Sequence, residues 1–232
     1  MEVIILAGGF GTRLQSVVKD VPKPMADING KPFLEYLLNY LSKYNITDVV
    51  LSVGYKQDTI KNYFKDKYRN INLKYSCEEK PLGTGGAIKQ AIKMLNKKDD
   101  KVLVINGDTF FQADLSKLIE ADKILNSDIT LCLKEMINFD RYGSVKVDNR
   151  IIAKFEEKKF YKKAYINCGV YVMRKNIFIK IETLNKFSFE EFLETNLSNI
   201  KACSYISNDS YFIDIGIPDD YAKAKIDFKE IF

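Results

Sequence analysis

The sequence of 232 residues contains no histidine, and this absence removes several reaction mechanisms at once. A Ser-His-Asp triad and a histidine general base are excluded, and so is a zinc site with mixed cysteine and histidine ligands. The four cysteines are widely spaced and form no Cys-x-x-Cys pair, which argues against an all-cysteine metal site. We therefore expect four unpaired thiols in a reducing cytoplasm, at Cys77, Cys132, Cys168 and Cys203.

Long apolar runs and dense basic stretches are lacking too. No apolar run approaches the ~20 residues of a membrane span, and residues 3–7 are too short, and lack the basic lead, for a signal peptide. The net charge is a modest +5, and the lysine-rich residues 154–163 also contain Glu156 and Glu157. We expect a cytoplasmic protein that binds neither membranes nor nucleic acids. The 46% hydrophobic content suits one core, and hence a single domain over residues 1–232.

Hydrophobic patterns predict alternating strands and helices in the first half of the chain. Strands are predicted at 3–7, 48–53, 72–77 and 101–105, and helices at 34–41, 59–64 and 86–95. After residue 125 strands dominate, at 128–134, 143–147, 166–173, 202–206 and 211–215, with helices at 187–195 and 218–228. The prediction is an α/β fold with a Rossmann-like, mostly parallel mixed sheet and helices on both faces. No hexapeptide repeat is present, so no β-helix domain is expected.

A glycine-rich loop follows the first predicted strand. Gly8, Gly9 and Gly11 would let backbone N–H groups approach a phosphate closely, and Arg13 would add a rigid fork of donors. The loop does not match the dinucleotide pattern Gly-x-Gly-x-x-Gly, because Leu14 stands at the third glycine position. It lacks the Gly-Lys-Ser/Thr of a P-loop as well. An ordinary strand-to-helix turn is the alternative.

Three further charged residues stand at positions suited to phosphate chemistry. Lys23 lies between Pro22 and Pro24, which restrict the local backbone. Asp108 follows a predicted strand and Asp214 lies at the end of another, and ligands of open α/β sheets bind beyond the carboxyl ends of strands. Two such carboxylates could hold one Mg²⁺ together with phosphate oxygens. The alternatives are a surface lysine and two aspartates that cap turns.

Seven motifs in order resemble those of the sugar-phosphate nucleotidylyltransferases: LAGGFGTRL, PKPM, PLGTGGA, NGD, FEEK, NCGVYV and FIDIG. The stretch VVKDVPKPMADINGKPFLEYLL is most similar to D-glycero-D-manno-heptose 1-phosphate guanylyltransferases. The resemblance implies that a nucleoside triphosphate and a sugar 1-phosphate react to give a nucleotide sugar and pyrophosphate, with Mg²⁺. Here this means GTP and the heptose 1-phosphate, giving GDP-heptose for capsule or lipopolysaccharide synthesis. A sugar phosphate is already anionic, so a missing histidine base is no obstacle.

The resemblance also implies a role for each matching residue. Arg13 and Lys23 would be catalytic, by neutralising charge on the leaving pyrophosphate, the α-phosphate and the sugar phosphate. Asp108 and Asp214 would hold the Mg²⁺. The family often has proline after Glu-Lys, whereas this chain has Lys159. The nucleotide would contact Leu6, Ala7, Gly8, Gly9, Gly11, Thr12, Glu78, Gly83 and Asp108, and the sugar phosphate would contact Gly107, Glu157, Lys158, Asn167 and Gly169.

The base preference can be argued from Glu78, five residues before Gly83. Thymidine- and uridine-directed relatives typically have glutamine there, whose amide both donates and accepts. A carboxylate only accepts, so it suits the adjacent N1–H and 2-amino donors of guanine. Glu79 could take this role instead, and two solvated glutamates in a surface loop are the remaining alternative.

Several competing functions stay open at this point. A mannose 1-phosphate guanylyltransferase and a UTP- or dTTP-directed enzyme would share the same motifs. A non-catalytic subunit that senses sugar nucleotides would share the fold, although it could dispense with Arg13, Lys23, Asp108 or Asp214. A dinucleotide oxidoreductase fits less well because the glycine loop does not match. Assembly into a homo-oligomer is possible.

Overall fold

The computed structural model describes residues 1–96 and 99–232. The strands are β1 (Val3–Leu6), β2 (Asp27–Ile28), β3 (Lys31–Pro32), β4 (Asp48–Val53), β5 (Lys67–Tyr68), β6 (Ile71–Cys77), β7 (Lys101–Asn106), β8 (Thr109–Phe111), β9 (Ile129–Phe139), β10 (Ser144–Asp148), β11 (Ile151–Glu156), β12 (Tyr161–Arg174), β13 (Ala202–Ile206) and β14 (Phe212–Asp214). The helices are α1 (Phe33–Leu41), α2 (Gln57–Phe64), α3 (Gly83–Ile92), α4 (Leu115–Leu125), α5 (Ile177–Lys180), α6 (Phe189–Asn196) and α7 (Pro218–Ile231). Short 3-10 turns cover Thr12–Leu14 and Lys23–Met25.

One large mixed sheet has the strand order β10-β11-β13-β9-β12-β7-β1-β4-β6-β5. Strands β7, β1, β4 and β6 are mutually parallel, which confirms the alternation predicted for the first half. Strand β12 runs antiparallel to β7 and to β9, while β13 is parallel to β9. Leu6 aligns with Ser52 on β4 and with Asn106 on β7. The carboxyl ends of these parallel strands therefore meet along one edge.

Helices cover both faces of the sheet, as predicted. Successive side chains of β1 point to opposite faces, so Val3 and Ile5 join the core beneath α1 and α7. Ile4 joins the second core, beneath α3 and α6. Within the part of the chain that the structure describes, no helix combines the length and apolar character needed to cross a bilayer.

Among the elements that the sequence patterns do not predict, α4 and β11 are the two longest, and both have mixed polarity. Helix α4 buries the carboxylate of Asp122 and leaves Ile124 three-quarters exposed, so its apolar periodicity is broken. Asp122 is tolerated because Lys101, Ser127 and Thr130 bond to it. Strand β11 mixes apolar and charged side chains, and Ile152 is its one buried residue. Within the single domain we further predict a nucleotide-binding half at about residues 1–125 and a sugar-phosphate-binding half at about residues 126–232, and this division stays a prediction.

A small two-stranded sheet brings the second aspartate back to the first. Strand β8 follows β7 directly and pairs antiparallel with β14, so that Thr109 lies opposite Asp214. The N–H of Ile215 donates to the carbonyl of Asp108 at 3.0 Å. Asp108 and Asp214, 106 residues apart in the sequence, are thereby held side by side near the carboxyl ends of the parallel strands.

Candidate active site

A cavity of about 720 Å³ opens at the carboxyl edge of the parallel strands. Its volume lies in the range of small-molecule and cofactor sites, roughly 300–1,000 Å³. Its lining includes ten predicted site residues: Leu6, Gly8, Gly9, Gly11, Thr12, Arg13, Lys23, Glu78, Gly83 and Asp108. The cavity therefore brings the glycine loop, the lysine between two prolines and the glutamate together, as the sequence analysis expected.

The glycine loop is shaped by close neighbours within the protein. A Cβ at Gly8 would lie 2.5 Å from Oε1 of Glu78, so only glycine leaves room for that carboxylate. Gly11 has a left-handed φ of 60°, and its Cα packs against the side chain of Lys23. The 3-10 turn that follows carries Arg13, which is exposed at the cavity wall. Two of the glycines thus seat Glu78 and Lys23 against the loop.

Lys23 lies between the two aspartates. Its Nζ is 2.6 Å from Oδ2 of Asp108 and 3.7 Å from Oδ1 of Asp214. The turn that holds it is closed by the Met25 N–H, which donates to the Pro22 carbonyl. Burial and the neighbouring Asp108 carboxylate raise the pKa of Asp214, while the Lys23 ammonium opposes this shift. The cluster is a compact group of one cation and two anions.

This cluster fits a divalent cation. Mg²⁺ prefers one or two carboxylates and completes its shell with waters and phosphate oxygens. The Lys23 ammonium already lies within 4 Å of both carboxylates, so the pair is placed to share a positive charge. Among residues 1–96 and 99–232 no group of three or more His, Cys, Asp or Glu side chains could hold a metal ion, so waters and a bound substrate would supply the remaining ligands.

Glu78 is anchored at the opposite part of the cavity. Its Oε2 accepts from the Leu82 N–H at 3.0 Å, and its Oε1 is 3.4 Å from the Ser52 hydroxyl. Burial raises the pKa of this carboxyl, and the two hydrogen bonds partly offset the shift. Glu79 also lines the cavity but is exposed. A half-buried, fixed carboxylate is the better candidate for reading a base, which favours Glu78 over Glu79.

The predicted sugar-phosphate residues fall into two groups. Asn167 and Gly169 lie where β12 bulges against β9, and Gly169 adopts a φ of 69°. The Cα of Gly169 packs on the side chain of Asn106, which lines the cavity. The bulge is therefore adjacent to the cavity, although Asn167 and Gly169 are not part of its lining. The amide of Asn167 is held locally, since its Nδ2 donates to the Tyr171 hydroxyl at 2.9 Å.

Glu157 and Lys158 form the second group. Both are exposed, in the loop after β11, and neither belongs to the cavity lining. The neighbouring Glu156 is instead tied down, because Ser144 and Lys146 bond to its carboxylate. Two other predicted site residues have backbone roles: the Ala7 N–H donates to the Ser52 carbonyl, and the Cα of Gly107 packs on the carbonyl of Leu6.

Sequence reasoning missed a second loop that lines the cavity, directly after β4. Ser52, Gly54, Tyr55 and Gln57 all contribute to the lining. Their signal was present, because Ser52 lies near the end of the strand predicted at 48–53, the other three residues follow it, and the ends of parallel strands share one edge. Gly54 lies against Gly8 and the Cβ of Glu78. Lys80, Thr84 and Asn106 are further missed lining residues.

Comparisons with known proteins identify the family of this chain. Residues 2–230 match the family model described as "Nucleotidyl transferase". D-glycero-alpha-D-manno-heptose 1-phosphate guanylyltransferase from Campylobacter jejuni is 53% identical over 95% of this chain and 97% of its own, and the protein of the same name from Aneurinibacillus thermoaerophilus is 50% identical over 97% of both. The crystal structure of HddC from Yersinia pseudotuberculosis complexed with GMP-PN matches with a TM-score of 0.86 and 41% identity, covering 98% of this chain and 99% of that one. The chain therefore belongs to the nucleotidyl transferase family.

Proposed function

We propose that this protein transfers a guanylyl group from GTP to D-glycero-α-D-manno-heptose 1-phosphate, giving GDP-heptose and pyrophosphate. The observation that carries the proposal is one cavity lined by a fixed carboxylate, Glu78, and by the ion pair of Lys23 with Asp108. Asp214 is not part of the lining, but its carboxylate lies 3.7 Å from the Lys23 ammonium. Glu78 suits the donor edge of guanine, and the cluster of Lys23, Asp108 and Asp214 suits a chain of phosphates. The two heptose 1-phosphate guanylyltransferases named above support the choice of substrates.

The proposed reaction is an in-line displacement. A phosphate oxygen of the sugar 1-phosphate attacks the α-phosphorus of GTP, and the bond from that phosphorus to the bridging oxygen breaks, so that pyrophosphate leaves. The attacking oxygen is already ionised, so the protein supplies position and charge rather than a base. Lys23 would neutralise the α-phosphate and the sugar phosphate, and Arg13 the leaving pyrophosphate.

Asp108 and Asp214 would hold Mg²⁺, which supplies further neutralisation of the phosphate charges when bound. In this protein the Asp214 carboxylate is oriented by the Gly216 N–H, which donates to its Oδ1 at 2.7 Å. The Thr109 hydroxyl donates to Oδ1 of Asp108 at 3.2 Å. Both contacts engage an Oδ1 atom, and they fix how the two carboxylates are turned.

For the sugar phosphate we propose contacts from both predicted groups. Glu157 would accept from sugar hydroxyls and Lys158 would pair with the phosphate, since both side chains are exposed and available to a ligand. Asn167 and the backbone at Gly169 would complete the pocket next to Asn106. Four free cysteines support a reducing, cytoplasmic setting. We further propose that the GDP-heptose serves capsule or lipopolysaccharide synthesis.

Pyrophosphate release tests the proposed function directly. GTP, UTP and dTTP are each mixed with the heptose 1-phosphate or with mannose 1-phosphate, in the presence of Mg²⁺. We expect the fastest release from GTP with the heptose 1-phosphate. Faster release with mannose 1-phosphate would reassign the sugar, faster release with UTP or dTTP would reassign the base, and silence in all six pairs would favour a sensing subunit.

Replacing Arg13 should separate catalysis from folding. Because Arg13 is exposed, we expect Arg13→Ala to change the melting temperature little, while removal of one transition-state donor lowers kcat by about 100- to 1,000-fold. Thermal unfolding and pyrophosphate release measured on the same preparation check this. Lys19→Ala, an exposed cation nearby in the sequence and outside the cavity lining, is the matched control. If Arg13→Ala lost stability and activity to the same extent, the loop would be better interpreted as an ordinary strand-to-helix turn.

A further inference from the structure

The glycines of the PLGTGGA motif are explained by packing against the second half of the chain. A Cβ at Gly83 would lie 2.5 Å from the carbonyl oxygen of Phe187. A Cβ at Gly85 would overlap the Phe187 ring, and one at Gly86 would overlap the carbonyl of Asn185. We call residues 183–190 the strap. Close contact with the strap therefore accounts for glycine at these three positions.

Backbone hydrogen bonds fix the strap to the start of α3. The Phe187 N–H donates to the Leu82 carbonyl at 3.0 Å, and the Gly85 N–H donates to the Phe187 carbonyl at 3.1 Å. At the other end of the strap, the Lys89 ammonium donates to the carbonyl of Thr183 at 3.0 Å. The strap and the turn that precedes α3 therefore form one hydrogen-bonded unit.

Side chains lock the same unit next to the cavity. The Thr84 hydroxyl donates to Oε2 of Glu190 at 2.9 Å and accepts from the Phe189 N–H at 2.8 Å. The Ser188 hydroxyl donates to the same carboxylate oxygen at 2.9 Å. Thr84 is itself part of the cavity lining. The Glu190 carboxylate thus joins the strap to a residue of the cavity wall.

The unit continues to the carboxylate assigned to the base. Both backbone polar groups of Leu82 are hydrogen-bonded. Its carbonyl accepts from the Phe187 N–H, and its N–H donates to Oε2 of Glu78. Glu190, Thr84 and Phe187 thereby fix the turn that orients Glu78. We propose that the strap positions Glu78 for recognition of guanine, with Thr84 and Glu190 as positioning residues. This inference rests on the proposed role of Glu78 as the base reader.

The readout is discrimination between GTP and ITP, which lacks the 2-amino group of guanine. A correctly placed Glu78 carboxylate accepts from both N1–H and the 2-amino group, so a displaced one loses part of its preference for GTP. We expect Thr84→Val and Glu190→Ala to raise the KM for GTP and to lower the GTP-to-ITP ratio of kcat/KM by about fivefold, a typical effect of one hydrogen bond. The value of kcat should change little, because the hydrogen bonds of Thr84 and Glu190 join them to the strap and not to Lys23 or Asp108.

Matched variants make the test specific. Thr84→Ser keeps the hydroxyl and should retain the ratio, and Glu191→Ala, next to Glu190 but without its bond to Thr84, should behave as the wild type. If Glu190→Ala does not fold, Thr84→Val alone carries the test, since it removes the hydroxyl that donates to Glu190. A lowered melting temperature with an unchanged GTP-to-ITP ratio would overturn the positioning role. If Glu78→Gln also left the ratio unchanged, the proposed base reader itself would be wrong; if Glu78→Gln lowered it and the strap variants did not, the inference alone would fail.

Discussion

Lys23→Met should lower the kcat of nucleotidyl transfer by about 1,000-fold or more, the scale of losing a preorganised charge at the reacting centre. Lys23 is the cation closest to both carboxylates, at 2.6 Å from Asp108 and 3.7 Å from Asp214. Its side chain is only 10% exposed, so water can replace the lost charge poorly. Pyrophosphate release under saturating substrates measures the effect on kcat.

The same variant should bind Mg²⁺ more tightly in the absence of nucleotide. In the wild type the ammonium already neutralises the two carboxylates, so an incoming divalent cation must compete with it. Without the Lys23 ammonium, the negative charges of Asp108 and Asp214 repel each other more strongly. Binding of Mg²⁺ would reduce this repulsion. Addition of Mg²⁺ should therefore raise the melting temperature of Lys23→Met more than that of the wild type.

Lys31→Met provides the control for removal of a lysine. Lys31 is more than half exposed and, among the residues that the structure describes, forms an ion pair only with Glu35, four residues along the chain. Such surface pairs contribute little, about 0–1 kcal/mol, so activity and the response to Mg²⁺ should match the wild type. A folded Lys23→Met variant that keeps more than a tenth of wild-type activity would contradict the role given to Lys23.

The carboxyl edge of the sheet could be predicted because it depends on local patterns. The apolar runs that end before Gly8 and Asn106 identify strands, and parallel strands place their ends together. That reasoning placed the glycine loop and Asp108 correctly in one cavity. It could not show that Asp214 reaches Asp108 through the pairing of β8 with β14, because a pairing between distant segments leaves no local periodicity.

The parts that the sequence could not reveal depend on contacts between distant segments. Gly8 reads as a phosphate-loop glycine, yet its missing side chain is also needed for the Glu78 carboxylate, 70 residues away in the sequence. The sequence predicts Gly83 as a nucleotide contact, whereas the structure also shows it packed closely against the backbone of Phe187. Helix α4 likewise could not be predicted from the pattern of polar and apolar residues, because Ile124 is exposed and Asp122 is buried.

Glu78→Gln should lower the preference for GTP over UTP by about 100-fold, within the range seen when a polar group built for one substrate loses its match. A carboxylate accepts two hydrogen bonds from the N1–H and 2-amino group of guanine, whereas an amide both donates and accepts. The amide can pair with a uracil edge, and it repels one of the guanine donors. Ratios of kcat/KM for the two triphosphates measure the change, with Glu79→Gln as the matched control. A preference for GTP that survives both substitutions would contradict the assignment of the base reader.

The same substitution should stabilise the protein at neutral pH. Burial raises the pKa of Glu78 above its value in the unfolded chain, so between the two pKa values the folded state binds more protons than the unfolded state. The free energy of unfolding therefore falls as the pH rises from the unfolded to the folded pKa of Glu78. At neutral pH the wild type has lost this contribution to its stability. The amide introduced by Glu78→Gln does not titrate, so the melting temperature of this variant should exceed that of the wild type at pH 7, and the gap should close towards pH 4. A gap that does not depend on pH would show that the ionised carboxylate costs nothing in the fold. The Glu78 carboxylate is thus expected to lower stability at neutral pH, and its removal is expected to lower the preference for GTP. Both effects together would show that the residue serves ligand binding rather than folding.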